Sequence, residues 1–274
     1  MKIKHLLCFI ALCLFFTPGK AQQLSVMTLR NGATVYIWED KSKPDVFGMI
    51  AFKVGSVDDP EQYTGLAHYL EHVMFKGTQT IDALDWEKEK PIYEKIIAKY
   101  DERAALSDPA AREAIDKGIN DLTREAAQYA AGNEFSLLVD HMGGQGLNAS
   151  TGYDQTEYHN SFPPSQLEKW LEIYSERLID PVFRGFQTEL EAVYEEYNMY
   201  NDDRGSRMRE FIYEQAFGDH PYARPIIGLP EHLKNPQLSK LIDFYNTWYG
   251  PQNMSIILVG NIDAKEAIPM IRDK

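Results

Sequence analysis

Cysteine is nearly absent from this chain of 274 residues: there are two, Cys8 and Cys13, both close to the N-terminus. The segment that holds them has the layout of an export signal. Lys2 and Lys4 precede an apolar run over residues 6–16, and Gly19-Lys20-Ala21 places small residues at the first and third positions before a cut after Ala21. Residues 1–21 are therefore expected to be a signal peptide and residues 22–274 the mature domain, secreted or periplasmic. Such a mature domain has no cysteine and can form no disulfide, even in an oxidising compartment. Neither cysteine precedes the start of a mature domain, which argues against lipid attachment. Long hydrophobic runs are lacking too: the 6–16 stretch is too short for a membrane span, and none is expected in the mature chain. Basic residues are few, 28 Lys and Arg against 41 Asp and Glu, for a formal charge of −13. Loss of residues 1–21 removes three lysines and no acid, moving the charge to −16. That balance disfavours nucleic acid and anionic membranes as partners and suits basic or neutral peptides.

No internal repeat and no low-complexity linker divides the chain, and 44% hydrophobic residues suffice for one core. Asn31-Gly32 between two alternating stretches predicts a β-hairpin over residues 24–29 and 34–38, with a third strand over 46–54. Further strands are expected over 147–151, 156–162 and 255–259, and helices over 64–76, 164–178, 188–201 and 238–249. This is an α+β domain, mainly an antiparallel sheet packed by helices.

His68-Tyr69-Leu70-Glu71-His72 carries the chemistry. Thr64 can cap a helix there and Gly77 can end it. On that helix His68, Glu71 and His72 fall within an arc of about 100°, with Leu66, Leu70 and Val73 roughly opposite. Two imidazoles four residues apart supply two ligands of a zinc site. Glu71 is close enough to take a proton from a metal-activated water and too constrained to be a good ligand. The order inverts His-Glu-x-x-His, a form also found among zinc peptidases. A third ligand is missing locally. The acidic run from Glu189 to Tyr197 is the best source: Glu189 and Glu196, seven apart, share the face of Ala192 and Val193, whereas Glu191 and Glu195 point away. The remaining histidines, His141, His159, His220 and His232, are read as structural or exposed.

The stretch Gly65-Leu66-Ala67-His68-Tyr69-Leu70-Glu71-His72-Val73-Met74-Phe75-Lys76-Gly77-Thr78 resembles the signature of the M16 zinc peptidases, the family of pitrilysin, insulysin and mitochondrial processing peptidase. Three further segments agree in order: Gly146 to Thr151 with Gln155-Thr156, Glu189 to Glu196, and Tyr249 to Gly260. The resemblance implies His68, His72 and Glu196 as ligands of one Zn2+ per chain, Glu71 as general base, and Glu189 as a carboxylate supporting a ligand. It also implies that the strand of Asn148 and Ala149 receives an extended substrate through its backbone.

One departure from compact members of the family is a stretch some fifty residues longer, about 80–131. Trp86, Tyr93, Ile96, Ile97 and Tyr100 form one amphipathic run and Ile115, Ile119, Leu122, Ala126 and Tyr129 another, separated by Ser107-Asp108-Pro109; an inserted helical hairpin projecting from the domain is expected. The implied activity is an exported zinc metalloendopeptidase acting on peptides or unfolded polypeptides. The rival reading is a noncatalytic M16-like assembly or partner subunit, which has no need of the intact set His68, Glu71, His72 and Glu196. A structural zinc module is less apt, since it takes four protein ligands. Family enzymes pair a zinc-bearing half with a second, related half that adds an arginine and a tyrosine. That C-terminal half is expected to lie outside this sequence, in a longer chain or a partner subunit, so that the isolated chain holds an incomplete active site.

Overall fold

A computed structural model describes residues 24–274, and the expected signal peptide lies outside the described residues. Six strands form one sheet: β1 (Leu24–Thr28), β2 (Thr34–Glu39), β3 (Val46–Phe52), β4 (Gln145–Thr151), β5 (Thr156–Phe162) and β6 (Met254–Gly260). Their order across the sheet is β1-β2-β6-β3-β5-β4. Only β2 and β6 run parallel; the other neighbours are antiparallel. The first hairpin turns where expected, with Gly32 at φ +97° and the Asn31 side chain accepting from Ala33 N–H. Alternation sets the faces. Along β3, Val46, Gly48, Ile50 and Phe52 are buried and the residues between them are not.

The buried face is covered by helices. The helical elements are α1 (Leu66–Val73), α2 (Trp86–Ala105), α3 (Pro109–Ala126), α4 (Glu134–His141), α5 (Leu167–Ile179), α6 (Phe186–Asp202), α7 (Arg204–Phe217), α8 (Pro230–Leu233), α9 (Leu238–Trp248) and α10 (Ala264–Arg272). Helix α5 lies so close to the sheet that a Cβ on Gly48 would stand 2.6 Å from the Trp170 ring. Trp170 Nε1 and the Tyr174 hydroxyl both donate to Asn160 Oδ1 at 2.8 Å, satisfying a polar side chain in the core. On the opposite face Tyr36, Trp38 and Val259 are exposed. No helix among the described residues is long and apolar enough to cross a membrane.

Three expectations need correction. Thr64 does not cap α1; the helix starts after Gly65, which is left-handed at φ +89°, and it ends at Val73 rather than residue 76. The two helices of the long segment form an antiparallel pair capped by Asp85 and Asp108, but they do not project. Ile92, Ile96 and Tyr100 are buried in the common core, the Tyr100 ring lies 4.8 Å from Phe186, and Ser239 bonds Asp101. A stripe of three apolar residues is more stable packed on the body than left wet. Helices α4 and α7 were not anticipated at all.

Candidate metal centre and active site

Helix α1 is clamped at both ends. The buried Asp59 carboxylate accepts from Gly65 N–H at 2.7 Å and Ala67 N–H at 2.9 Å, filling the donors that the first turn leaves open. Burial pushes Asp59 up to about 7, against these two bonds and Arg224, which lower it. Thr64, instead of capping, joins the start of α1 to another segment: its hydroxyl accepts from Leu229 N–H and meets His232 Nδ1 at 2.8 Å. At the far end the buried Arg177 donates from Nε to the Met74 carbonyl at 2.9 Å, its guanidinium stacked on Phe75 and Tyr158.

With Leu66, Leu70 and Val73 turned into the core, α1 presents His68, Glu71 and His72 to a cleft of about 700 Å³. Helix α6 supplies the carboxylates. Glu196 Oε2 lies 3.6 Å from His68 Nε2 and 3.5 Å from His72 Nε2. One donor atom each from His68, His72 and Glu196 fall within 4.8 Å of one another, a group that could hold a metal ion. Glu189 stands on the other side of His72, with Oε2 3.5 Å from Nδ1 and Oε1 2.6 Å from Lys76 Nζ. Glu191 and Glu195 are exposed.

Burial, with His72 adjacent, pushes His68 down to about 4 although Glu196 opposes this, which favours the neutral imidazole that a metal takes. Burial also works against a charged His72, but the Glu189 contact and the nearby carboxylates outweigh it and raise that group. Glu71 is raised by burial despite a 2.7 Å hydrogen bond from the Thr151 hydroxyl to its Oε2. For Glu189 burial is outweighed by His72 and Lys76, which hold it below the ordinary carboxylate range.

Strand β4 borders the cleft and pairs only with β5, so its outer edge is free among the described residues. Asn148 is exposed on that strand, whereas the Ala149 side chain is buried and only its backbone can serve a ligand. A register shift between Gln145 and Asn148, with Gly146 at φ +63°, bends the strand at this point. The sequence reading missed the opposite wall: Tyr200 at the end of α6 and Arg209, Glu210 and Tyr213 on α7. Tyr213 stacks on Tyr153 of the β4–β5 turn with centroids 5.4 Å apart. Helix α7 has no buried residue. Lys76 and Thr151 stood within recognised segments without a role, and Asp59 gave no local signal. His220 and His232 make structural hydrogen bonds, as expected.

The fold and the donor group define a class: an α+β domain with a His-His-Glu group able to hold a metal ion at the edge of its sheet. The family follows from sequence. The profile of the insulinase family (peptidase family M16) matches residues 34–90 and 122–229, more than half of the chain, which therefore belongs to that family. The unmatched residues 91–121 run through α2 and α3. The profile described as the M16 inactive domain matches residues 237–274, which contribute none of the donor atoms above. The chain is 25% identical over 264 residues to the probable zinc protease PqqL of Escherichia coli, covering 92% of this chain and 23% of PqqL. Among solved structures, a protease from Helicobacter pylori superposes with a TM-score of 0.70 at 22% identity over 92% of this chain and 49% of the other. The first half of the periplasmic protease PqqL from Escherichia coli superposes with a TM-score of 0.68 at 25% identity, covering 92% and 46%. The chain thus spans between about a quarter and a half of the length of such relatives.

Proposed function

We propose that this chain is the zinc-bearing half of an exported metalloendopeptidase that hydrolyses peptides or unfolded polypeptides. The carrying observation is the convergence of His68, His72 and Glu196 beside Glu71 at the free edge of β4. Ligands held 2.0–2.2 Å from a tetrahedral zinc stand about 3.3–3.6 Å apart, and both histidine–Glu196 separations agree. Zinc held there supplies a Lewis acid for the peptide carbonyl and makes water more acidic. The chain's own residues do the rest. Glu71 accepts the proton of the attacking water and passes it to the leaving amine, while the Thr151 hydroxyl holds one carboxylate oxygen and steadies the other toward the cleft. An extended substrate pairs with the backbone of β4 near Asn148 and Ala149.

The names of the relatives as zinc proteases support the reaction, and the layout of residues 1–21 supports export. The longer relatives support a second half, in the same chain or a partner subunit, that completes the site. A noncatalytic partner role is disfavoured by the complete donor set with its base. Metal analysis tests the ligands: the wild-type chain should carry about one zinc, largely lost in His68→Ala and Glu196→Ala. Equal metal content in all three proteins would sink the assignment.

A further inference from the structure

We infer that Lys76 is a positioning residue that holds Glu189 as the carboxylate partner of His72 and so sets how His72 presents itself to the metal, a step that rests on the metal-centre reading above. Glu189 and Glu196 are seven residues apart on one helix and project on nearly the same side. Each brings a carboxylate oxygen to 3.5 Å from a nitrogen of His72, Glu189 at Nδ1 and Glu196 at Nε2. Only Glu196 joins the group of donor atoms that could hold the metal, because Glu189 lies on the Nδ1 side of His72. Lys76 holds Glu189 in that place. Its ammonium lies 2.6 Å from Glu189 Oε1, whereas Glu196 makes ion-pair contacts among the described residues only with the two histidines. A carboxylate neutralised by an ammonium is a poorer metal donor. It is well suited to accept the Nδ1 proton of His72, which fixes the tautomer with its lone pair on Nε2.

Lys76 does not hang loose. Its carbonyl accepts from Arg184 Nη1 at 3.2 Å, and Arg184 is held by the buried Glu89 through bonds of 2.6 and 2.8 Å. Two residues earlier Arg177 pins the Met74 carbonyl. The turn after α1 is thus fixed from below by two arginines, so its lysine reaches Glu189 from a fixed backbone.

The test measures zinc affinity of the full chain by competition with a chromophoric chelator for wild type, Lys76→Met and Lys76→Arg. The visible spectrum of the cobalt-loaded proteins and the melting temperature of the metal-free forms are recorded alongside. Lys76→Met should weaken zinc binding about 10- to 100-fold and alter the cobalt spectrum while the metal-free melting temperature stays put. Lys76→Arg should restore both. Wild-type affinity and spectrum in Lys76→Met would overturn the inference. So would a loss that Lys76→Arg does not repair and that tracks a lower metal-free melting temperature, since that marks a merely structural lysine. A wild-type chain that takes up no zinc would bring down the metal-centre reading itself, a result distinct from equal uptake by wild type and Lys76→Met.

Discussion

Glu71, half-buried on α1, and Asp59, buried just before it, are both carboxylates, and their partners separate their roles. Glu71 takes one bond from a hydroxyl and faces the cleft, so it can exchange a proton with a bound molecule. Replacing it with glutamine removes the proton acceptor and keeps the shape. Glu71→Gln should therefore retain zinc while hydrolysis by the completed enzyme falls about 10²- to 10⁴-fold; turnover near wild type would exclude Glu71 as base. Asp59 instead gives both oxygens to backbone N–H groups of α1. Asp59→Ala leaves those donors buried and unpaired and should cost about 2–4 kcal/mol in urea unfolding. The pH dependence has a definite sign. The folded-state value near 7 lies above the ordinary 3.8, so between these values the folded chain keeps a proton that the unfolded chain has released. The stability contributed by this group is full below the ordinary value and is lost as pH rises through about 7. Unfolding curves of the metal-free protein across that window should show the decline in wild type and a flatter profile in Asp59→Ala.

At the scale of elements, signals that repeat locally were legible and signals created by packing were not. The alternation of Val46, Gly48, Ile50 and Phe52 and the Asn31-Gly32 turn place three strands within a residue or two of their observed ends. The wheel that set Glu189 and Glu196 on one face of α6 agrees with their shared approach to His72. Thr64 failed as a cap because the nearest capping side chain in sequence was assumed to be the nearest in space; Asp59, six and eight residues before its partners, does that work through a folded loop. Helix α7 carries Met208, Phe211 and Ile212 at helical spacing, but this short stripe is exposed and not packed into the core. The docking of α2 was hidden in the sequence. Its decisive contact is a buried pair between Glu89 and Arg184, residues 95 positions apart. Arg184→Met strands the Glu89 charge in the core and should destabilise the chain by about 3–5 kcal/mol, whereas adding Glu89→Leu should recover much of that loss. Two equal single-variant losses that simply add in the double variant would show that the pair does not act as a unit.

For the whole molecule, His68, His72, Glu196 and Glu71 meet beside the edge of β4, with little among the described residues to close over them. The cleft opens between β4 and α7, which lines it through Arg209, Glu210 and Tyr213 and presents Met208, Phe211 and Ile212 to solvent away from it. Exposed apolar residues on a helix that borders the cleft are what a covering domain would bury. The chain corresponds to 23% of PqqL and 49% of the Helicobacter pylori protease, so relatives have ample further sequence from which to build such a cover. On the proposed reading the second half supplies groups that position the scissile bond and stabilise charge developing on its oxygen, and losses of that kind commonly amount to about a hundredfold or more in rate. Residues 22–274 alone should therefore bind zinc yet cleave an unfolded peptide library slowly, and addition of the second half, in the same chain or as a partner subunit, should raise the rate by at least about that factor. The comparison is informative because metal binding and turnover are read on the same protein. If the isolated chain already cleaves at full rate and gains nothing from the added half, then the groups around His68, Glu71, His72 and Glu196 suffice by themselves, and the open cleft is the finished active site.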